Sequence, residues 1–133
     1  MAEFNIPEHG AICWRELATK DLPTAIDSYS KLFGWSLNQT KVTEMDYKES
    51  VIDKEAVVGM MPIDEKWGPT PPPSHWTTYI AVTDTDETAQ QIVDAGGSIR
   101  VPPFDAPGVG RMAMVADPAG AAFSIIQFVQ PQA

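Results

Sequence analysis

The sequence predicts an α+β fold of two βαβββ repeats forming one curved mixed sheet, a half-barrel, with its helices on the convex side. Three observations carry this reading. Two stretches of helical period, residues 22–33 and the segment after Asp84, each follow a run rich in aromatic and β-branched residues. Each is followed in turn by three strand-like runs separated by short polar breaks. Between the two sets lies EKWGPTPPPSH, whose prolines oppose both a helix and a central strand.

The elements follow in chain order. AICWRELA is the first strand. Asp21 then caps a helix whose stripe is Leu22, Ala25, Ile26, Tyr29, Leu32 and Phe33, and Gly34 ends it in a left-handed conformation. WSLNQTKV, DYKESVI and AVVGMMPI are the next three strands, broken around Thr43 to Glu44 and Asp53 to Glu55. WTTYIAV opens the second set. Asp84 caps the second helix with Glu87 placed to complete a capping box, and Ala89, Ile92, Val93 and Ala95 form its stripe before Gly96 and Gly97. SIRV, RMAMVA and AAFSIIQFV close the chain. A shift of 64 lays Thr24 and Ala25 on Thr88 and Ala89. Residues 1–133 therefore read as one domain: a repeat over about 9–63, a connector over 64–75 and a repeat over about 76–130.

At 133 residues, 44% of them hydrophobic, the chain can bury one real core. Its apolar runs are short and its start lacks the basic and apolar segments of a secretory signal, so the expected location is the cytoplasm, with no membrane partner. Nine basic against eighteen acidic residues leave a charge of -9, and no Lys/Arg cluster is available for nucleic acid or anionic lipid. A cationic ligand is favoured by that field. Cys13, the single cysteine, forms no intramolecular disulfide and reads as a buried thiol. There is no G-x-S-x-G elbow and no P-loop, and GVGR at 108–111 reads as a loop before a strand.

DLPTAIDSYSKLFGW at the first helix, GVGRMAMVADPAGAAFSIIQ near the end, and two βαβββ units together resemble the vicinal oxygen chelate superfamily, which holds glyoxalase I, extradiol dioxygenases, fosfomycin-resistance enzymes and bleomycin-binding proteins. The resemblance covers nearly the whole chain and implies no single reaction. In the metal-dependent members, the first and last strands of each half ligate one divalent ion. Such an ion needs three or four convergent His, Glu or Asp donors and an open position. Counted from Asp21, the first position falls on Trp14, and the shift of 64 carries it to Thr78. Counted from the DPAG turn, the carboxylate position falls on Ser124, and its counterpart is Gly59. None of the four is a usual ligand for a divalent transition metal, so no metal and no cofactor are expected. A rearranged metal site would have to draw on His75, Glu16 or Glu44, His9 lying near the start of the chain.

What remains is a cleft. Strand alternation places Ile12, Trp14, Glu16 and Ala18 on its face, with Val57, Gly59 and Met61, then Trp76, Thr78, Ile80 and Val82, then Ala122, Ser124, Ile126 and Phe128. Tyr79 is expected to face the helices. Such a lining suits a small hydrophobic or cationic molecule oriented by Glu16, Thr78 and Ser124. Alternatively, Trp14 and Trp76 fill the cleft and the domain serves as an interaction module. Glu16 is either a general base, the counter-ion of a cation, or the partner of Arg111, Arg100 or a second subunit. The two function classes are thus a metal-independent binding protein, related to the bleomycin-resistance branch, and a glyoxalase-like lyase/isomerase or dioxygenase-type enzyme using Glu16 in a rearranged or cofactor-free site. A homodimer is expected from strands with apolar residues on both faces.

Overall fold

A computed structural model describes residues 6–39, 48–52 and 55–129. The chain divides into two compact units, residues 14–77 and residues 1–13 with 78–133. The predicted strand positions 40–42 and 46–47, and the predicted breaks at 43–45 and 53–54 with Glu44 among them, lie outside the described residues. No helix among those described is long and apolar enough to cross a membrane.

The first unit holds β1 (Ile12–Thr19) from Trp14 onward, α1 (Leu22–Phe33), β2 (Ser36–Gln39), β3 (Lys48–Ile52), β4 (Glu55–Pro62) and a 3₁₀ turn at Glu65–Trp67. It also holds the first residues of β5 (His75–Ala81). Helix α1 occupies the predicted residues for the predicted reasons. The Asp21 carboxylate accepts from the Thr24 amide at 3.1 Å and the Thr24 hydroxyl at 2.8 Å, and Gly34, at φ 73°, donates its amide to the Ser30 carbonyl. The strand order is β2-β3-β4-β1, with β1 and β4 parallel and the other pairs antiparallel. Leu17 and Met60 project from one face of this sheet onto Leu22, under Ala25, Ile26, Tyr29 and Trp35, so α1 covers that face.

The second unit repeats the plan with β5 from Thr78, α2 (Thr85–Asp94), β6 (Ser98–Ala106), β7 (Gly110–Ala116) and β8 (Ala122–Phe128), in the order β5-β8-β7-β6. The segment leading into β1 joins it: the Gly10 amide donates to the Ala81 carbonyl at 2.7 Å, and the Ala81 amide donates to the Ala11 carbonyl at 2.8 Å. The Asp84 carboxylate accepts from the Glu87 amide at 3.0 Å, which caps α2. Val82, Ala89, Ala113, Val115 and Ile125 make the core beneath α2, with Ile92 and Phe123 against them. Strand β6 runs beyond the predicted SIRV, through Pro102 and Pro103. It is outermost in this sheet and shifts register twice, and a strand with one free side tolerates residues that cannot donate.

Thr85 locks α2 to the sheet. Its amide donates to Gln127 Oε1 at 3.0 Å and its hydroxyl to the Arg111 carbonyl at 2.6 Å. The Arg111 guanidinium in turn pairs with Asp86 at 2.7 Å and Asp105 at 3.2 Å. The hydrogen bond from Arg111 holds the Asp86 carboxyl below its ordinary value, and the two aspartates raise that of the guanidinium. A carboxyl lowered by folding stabilises the native state above its unfolded-state value, and that contribution is lost as pH falls through the folded value. Asp86→Asn is therefore expected to destabilise slightly at pH 7 and to equal the parent once the carboxyl is protonated. Urea unfolding of both proteins from neutral pH into acid measures the convergence.

Candidate functional site

Each sheet carries one face against its helix, and most candidate residues lie on the other face. In the first unit, alternation turns Trp14, Glu16 and Ala18 away from Leu17 and hence from α1. Register places Glu16 beside Gly59 and Ala18 beside Met61, and Gly59 in turn beside Glu49 of β3. Trp14, Glu16, Gly59 and Met61 therefore share one face. Glu16 and Glu49 flank the position without a side chain, about 5 Å of sheet separating each from it. Glu16 is only 4% exposed and Glu49 is half-buried. Ala18, Met61 and Ile63 pack together with Trp67, which the 3₁₀ turn of the connector delivers to this face.

Trp76 does not join them. Its ring lies 5.5 Å from Tyr29 of α1, edge to face, and 6.5 Å from Trp35, within a cluster that also includes Phe33. Trp76 therefore belongs to the helix side of the first unit, which corrects its expected place in the cleft. The reason is a one-residue step in β5. The second helix cap, Asp84, lies 63 residues after Asp21, so the shift of 64 is one too many for the strand between them. A step of one reverses every side chain.

The register of the second unit agrees. Tyr79 stands beside Ser124 in the parallel β5–β8 pair, and Ile80 stands beside Ile125, which is core beneath α2. Thr78 and Ile80 therefore turn to the helix side, with Val82 in the core there, while Tyr79, expected to face the helices, turns the other way. Thr78 is thus withdrawn as a residue orienting a ligand on the helix-free face. Beyond Ser124 the same row continues to Met114, and the next row holds Ala81, Ile126 and Met112. Ser124, Ile126 and Tyr79 are 1%, 3% and 4% exposed.

The donor set does not fit a divalent ion. In the first unit Trp14 and Gly59 offer no ligand atom, and in the second Ser124 offers a neutral hydroxyl where carboxylate or imidazole is required. Among the described residues no three His, Cys, Asp or Glu side chains gather. His9 accepts the Thr83 amide at 3.0 Å, and His75 donates from Nδ1 to the Pro73 carbonyl at 2.7 Å with its ring edge-on to Trp67. Arg111 pairs with two aspartates, and Arg100 Nε donates to the Ser98 hydroxyl at 3.4 Å. Cys13 is half-buried, its thiol reaching the Tyr79 carbonyl at 3.6 Å, and burial pushes that thiol above its ordinary value, which makes it a poor nucleophile.

Three residues on these faces were not found from sequence. Tyr79 was recoverable by counting from both helix caps. Glu49 needed the β3–β4 register, and Trp67 needed the fold of a proline-rich connector.

The chain matches the family model of the Glyoxalase/Bleomycin resistance protein/Dioxygenase superfamily over residues 11–125. It is 35% identical over 116 residues to the protein named "Putative glyoxylase CFP32" of Mycobacterium bovis, covering 86% of this chain and 44% of that protein. It is 34% identical over 129 residues to the anthracycline biosynthesis protein DnrV of Streptomyces peucetius, covering 87% of this chain and 46% of that protein. The chain thus spans less than half the length of these curated relatives. Methylmalonyl-CoA epimerase from Mycobacterium tuberculosis shares the fold, with a TM-score of 0.55 at 15% identity over 91% of this chain and 89% of that one.

Proposed function

Because the chain belongs to the glyoxalase/bleomycin resistance protein/dioxygenase superfamily, we propose that it is a metal-independent member that binds a small hydrophobic or cationic molecule on the helix-free faces of its sheets. The observation that carries this reading is that Trp14, Gly59 and Ser124, the positions to which the resemblance assigns metal ligands, carry neither carboxylate nor imidazole. Apolar and aromatic side chains with a few polar groups are what a small-molecule site uses. On the first unit the ligand lies against Trp14 and Met61, and Glu16 and Glu49 face it across Gly59. On the second unit Ser124 and Ile126 serve the same role. The names of the similar proteins span unlike small molecules, so the ligand has to be read from this chain's own residues.

Benzyltrimethylammonium and its uncharged isostere neopentylbenzene test the role of charge. The cation is expected to bind more tightly, and Glu16→Gln to weaken it about ten- to a hundredfold while leaving the neutral isostere unaffected, since the substitution keeps shape and removes charge. Equal affinities for both compounds in both proteins count against a cation site. A second reading has one observation in its favour. A carboxylate as buried as Glu16, beside a position with no side chain, is also placed to act as a general base, in which case Glu16→Gln keeps binding and abolishes turnover.

We assign the protein to the cytoplasm, where a lone unpaired cysteine stays reduced, and to a homodimer. Leu32, Phe33, Leu37, Ile52 and Trp76 are each 45–67% exposed on the first unit, more apolar surface than a monomer usually leaves bare. Light scattering at micromolar concentration is expected to give twice the 14.5 kDa chain mass, and the mass of one chain refutes the dimer.

A further inference from the structure

The helix-free face of the second unit is mostly apolar. Register and alternation place Val101, Phe104, Met112, Met114, Ala116, Ala122 and Ile126 on it, with Ser98 beside Ala116 on the outer strand, and Tyr79 and Ser124 neighbours in adjacent strands further in. The row of the pair continues to Met114 and Val101 and the next row holds Ala81, Ile126, Met112 and Phe104, none of them charged, while Arg100 Nε bonds the Ser98 hydroxyl on the outer strand. Arg111, Asp105 and Gln127 lie on the opposite side, in line with Arg111 and Gln127 bonding to Thr85 of α2.

We infer that Tyr79 and Ser124 form a paired hydroxyl site that selects an uncharged, apolar ligand carrying a carbonyl oxygen. A carbonyl oxygen has two lone pairs, and hydroxyl side chains from neighbouring positions of one face can serve both. Each hydroxyl combines one donor with two acceptor lone pairs, so a hydroxyl already bonded within the protein keeps capacity for a further partner. Both groups are at least 96% buried, and in such surroundings a hydrogen bond to ligand counts for more than it does in water. Half-buried Met112 and Met114 flank the pair, and unbranched thioether side chains repack around flat ligands at little cost. The shift of 64 hid this pairing, because it turned Tyr79 to the helices. The inference rests on the reading that the helix-free faces hold a small molecule, and it adds the class of ligand.

The test uses 9-fluorenone and fluorene, flat aromatics that differ by the carbonyl oxygen, with dissociation constants taken by equilibrium dialysis on the full chain. The parent protein is expected to bind fluorenone about tenfold more tightly than fluorene. Tyr79→Phe and Ser124→Ala, checked for native circular dichroism, are each expected to lower the fluorenone affinity about three- to tenfold and to leave fluorene unchanged. The comparison of the two compounds on the parent protein needs no variant, so it stands even if a substitution unfolds the chain. Equal affinity for both compounds, or equal losses for both in the variants, overturns the hydroxyl pair and leaves the binding reading in place. Binding of benzyltrimethylammonium without binding of either aromatic also overturns it. Failure of all the compounds to bind overturns the binding reading itself.

Discussion

Gly110→Ala is expected to lose most of the native stability of the second unit, by at least about 3 kcal/mol. A Cβ at residue 110 would stand 2.2 Å from the Gln127 carbonyl oxygen and 3.0 Å from the Phe128 Cα, both backbone atoms of the neighbouring β8. A backbone pair in a ladder cannot move aside as a side chain can, so relief requires breaking the β7–β8 register. That register also positions Ser124 beside Met114, and Arg111 beside Gln127. Chemical denaturation measures the loss. Gly108→Ala is the comparison: its Cβ would meet nothing within 4 Å, so only the strain of φ 78° acts there. A Gly110→Ala protein as stable as the parent would mean that β7 and β8 do not approach as described.

Ser124→Glu puts a carboxylate where the family resemblance implies one, and it is expected to destabilise the fold by about 3–5 kcal/mol at pH 7. The residue is 1% exposed, with Tyr79 and Met114 on either side in its row and Ile126 next on its face, so the new charge would be desolvated without a cationic partner among the described strands of its unit. Desolvation raises a carboxyl pKa. A group whose folded value is raised destabilises once the unfolded chain ionises, so the deficit should be complete at high pH and shrink as pH falls toward the ordinary glutamate value of about 4.3. Manganese or zinc is expected to leave the melting temperature of parent and variant unchanged. A rise of several degrees in the variant alone would show that further donors converge on Ser124, and would overturn the metal-independent reading.

The elements were legible where local chemistry decides them. Asp21 and Asp84 cap, Gly34 stops α1, and the stripe from Leu22 to Phe33 has a single period, so the helix bounds follow from residues that act within one turn of themselves. The site was legible in β1 and β4, where Leu17 and Met60 pack under α1 and leave Glu16 and Gly59 on the other side. It was misread in β5. WTTYIAV is apolar or branched at nearly every position, so no alternation marks which residues face the helix. Only a count along the chain could decide, and a count one too many puts Thr78 where Thr77 belongs, turning Tyr79 to the wrong face and Trp76 away from Tyr29. Glu49 and Trp67 depend on strand register and on a connector packing back onto the sheet, both of which are tertiary events with no local signal.

Strand β6 has a bearing on how the protein behaves in a crowded cell. A sheet that ends in an exposed ladder offers its spare amides and carbonyls to any extended chain, and fibres grow by that route. Here the last ladder is interrupted where it is most open: Pro102 and Pro103 supply no amide hydrogen, and the register slips on either side of Val101. A passing strand therefore finds no continuous run to copy. The second unit can keep Ile99 and Phe104 partly in solvent without recruiting its neighbours, so colloidal safety in this half of the molecule comes from broken periodicity as well as from charge.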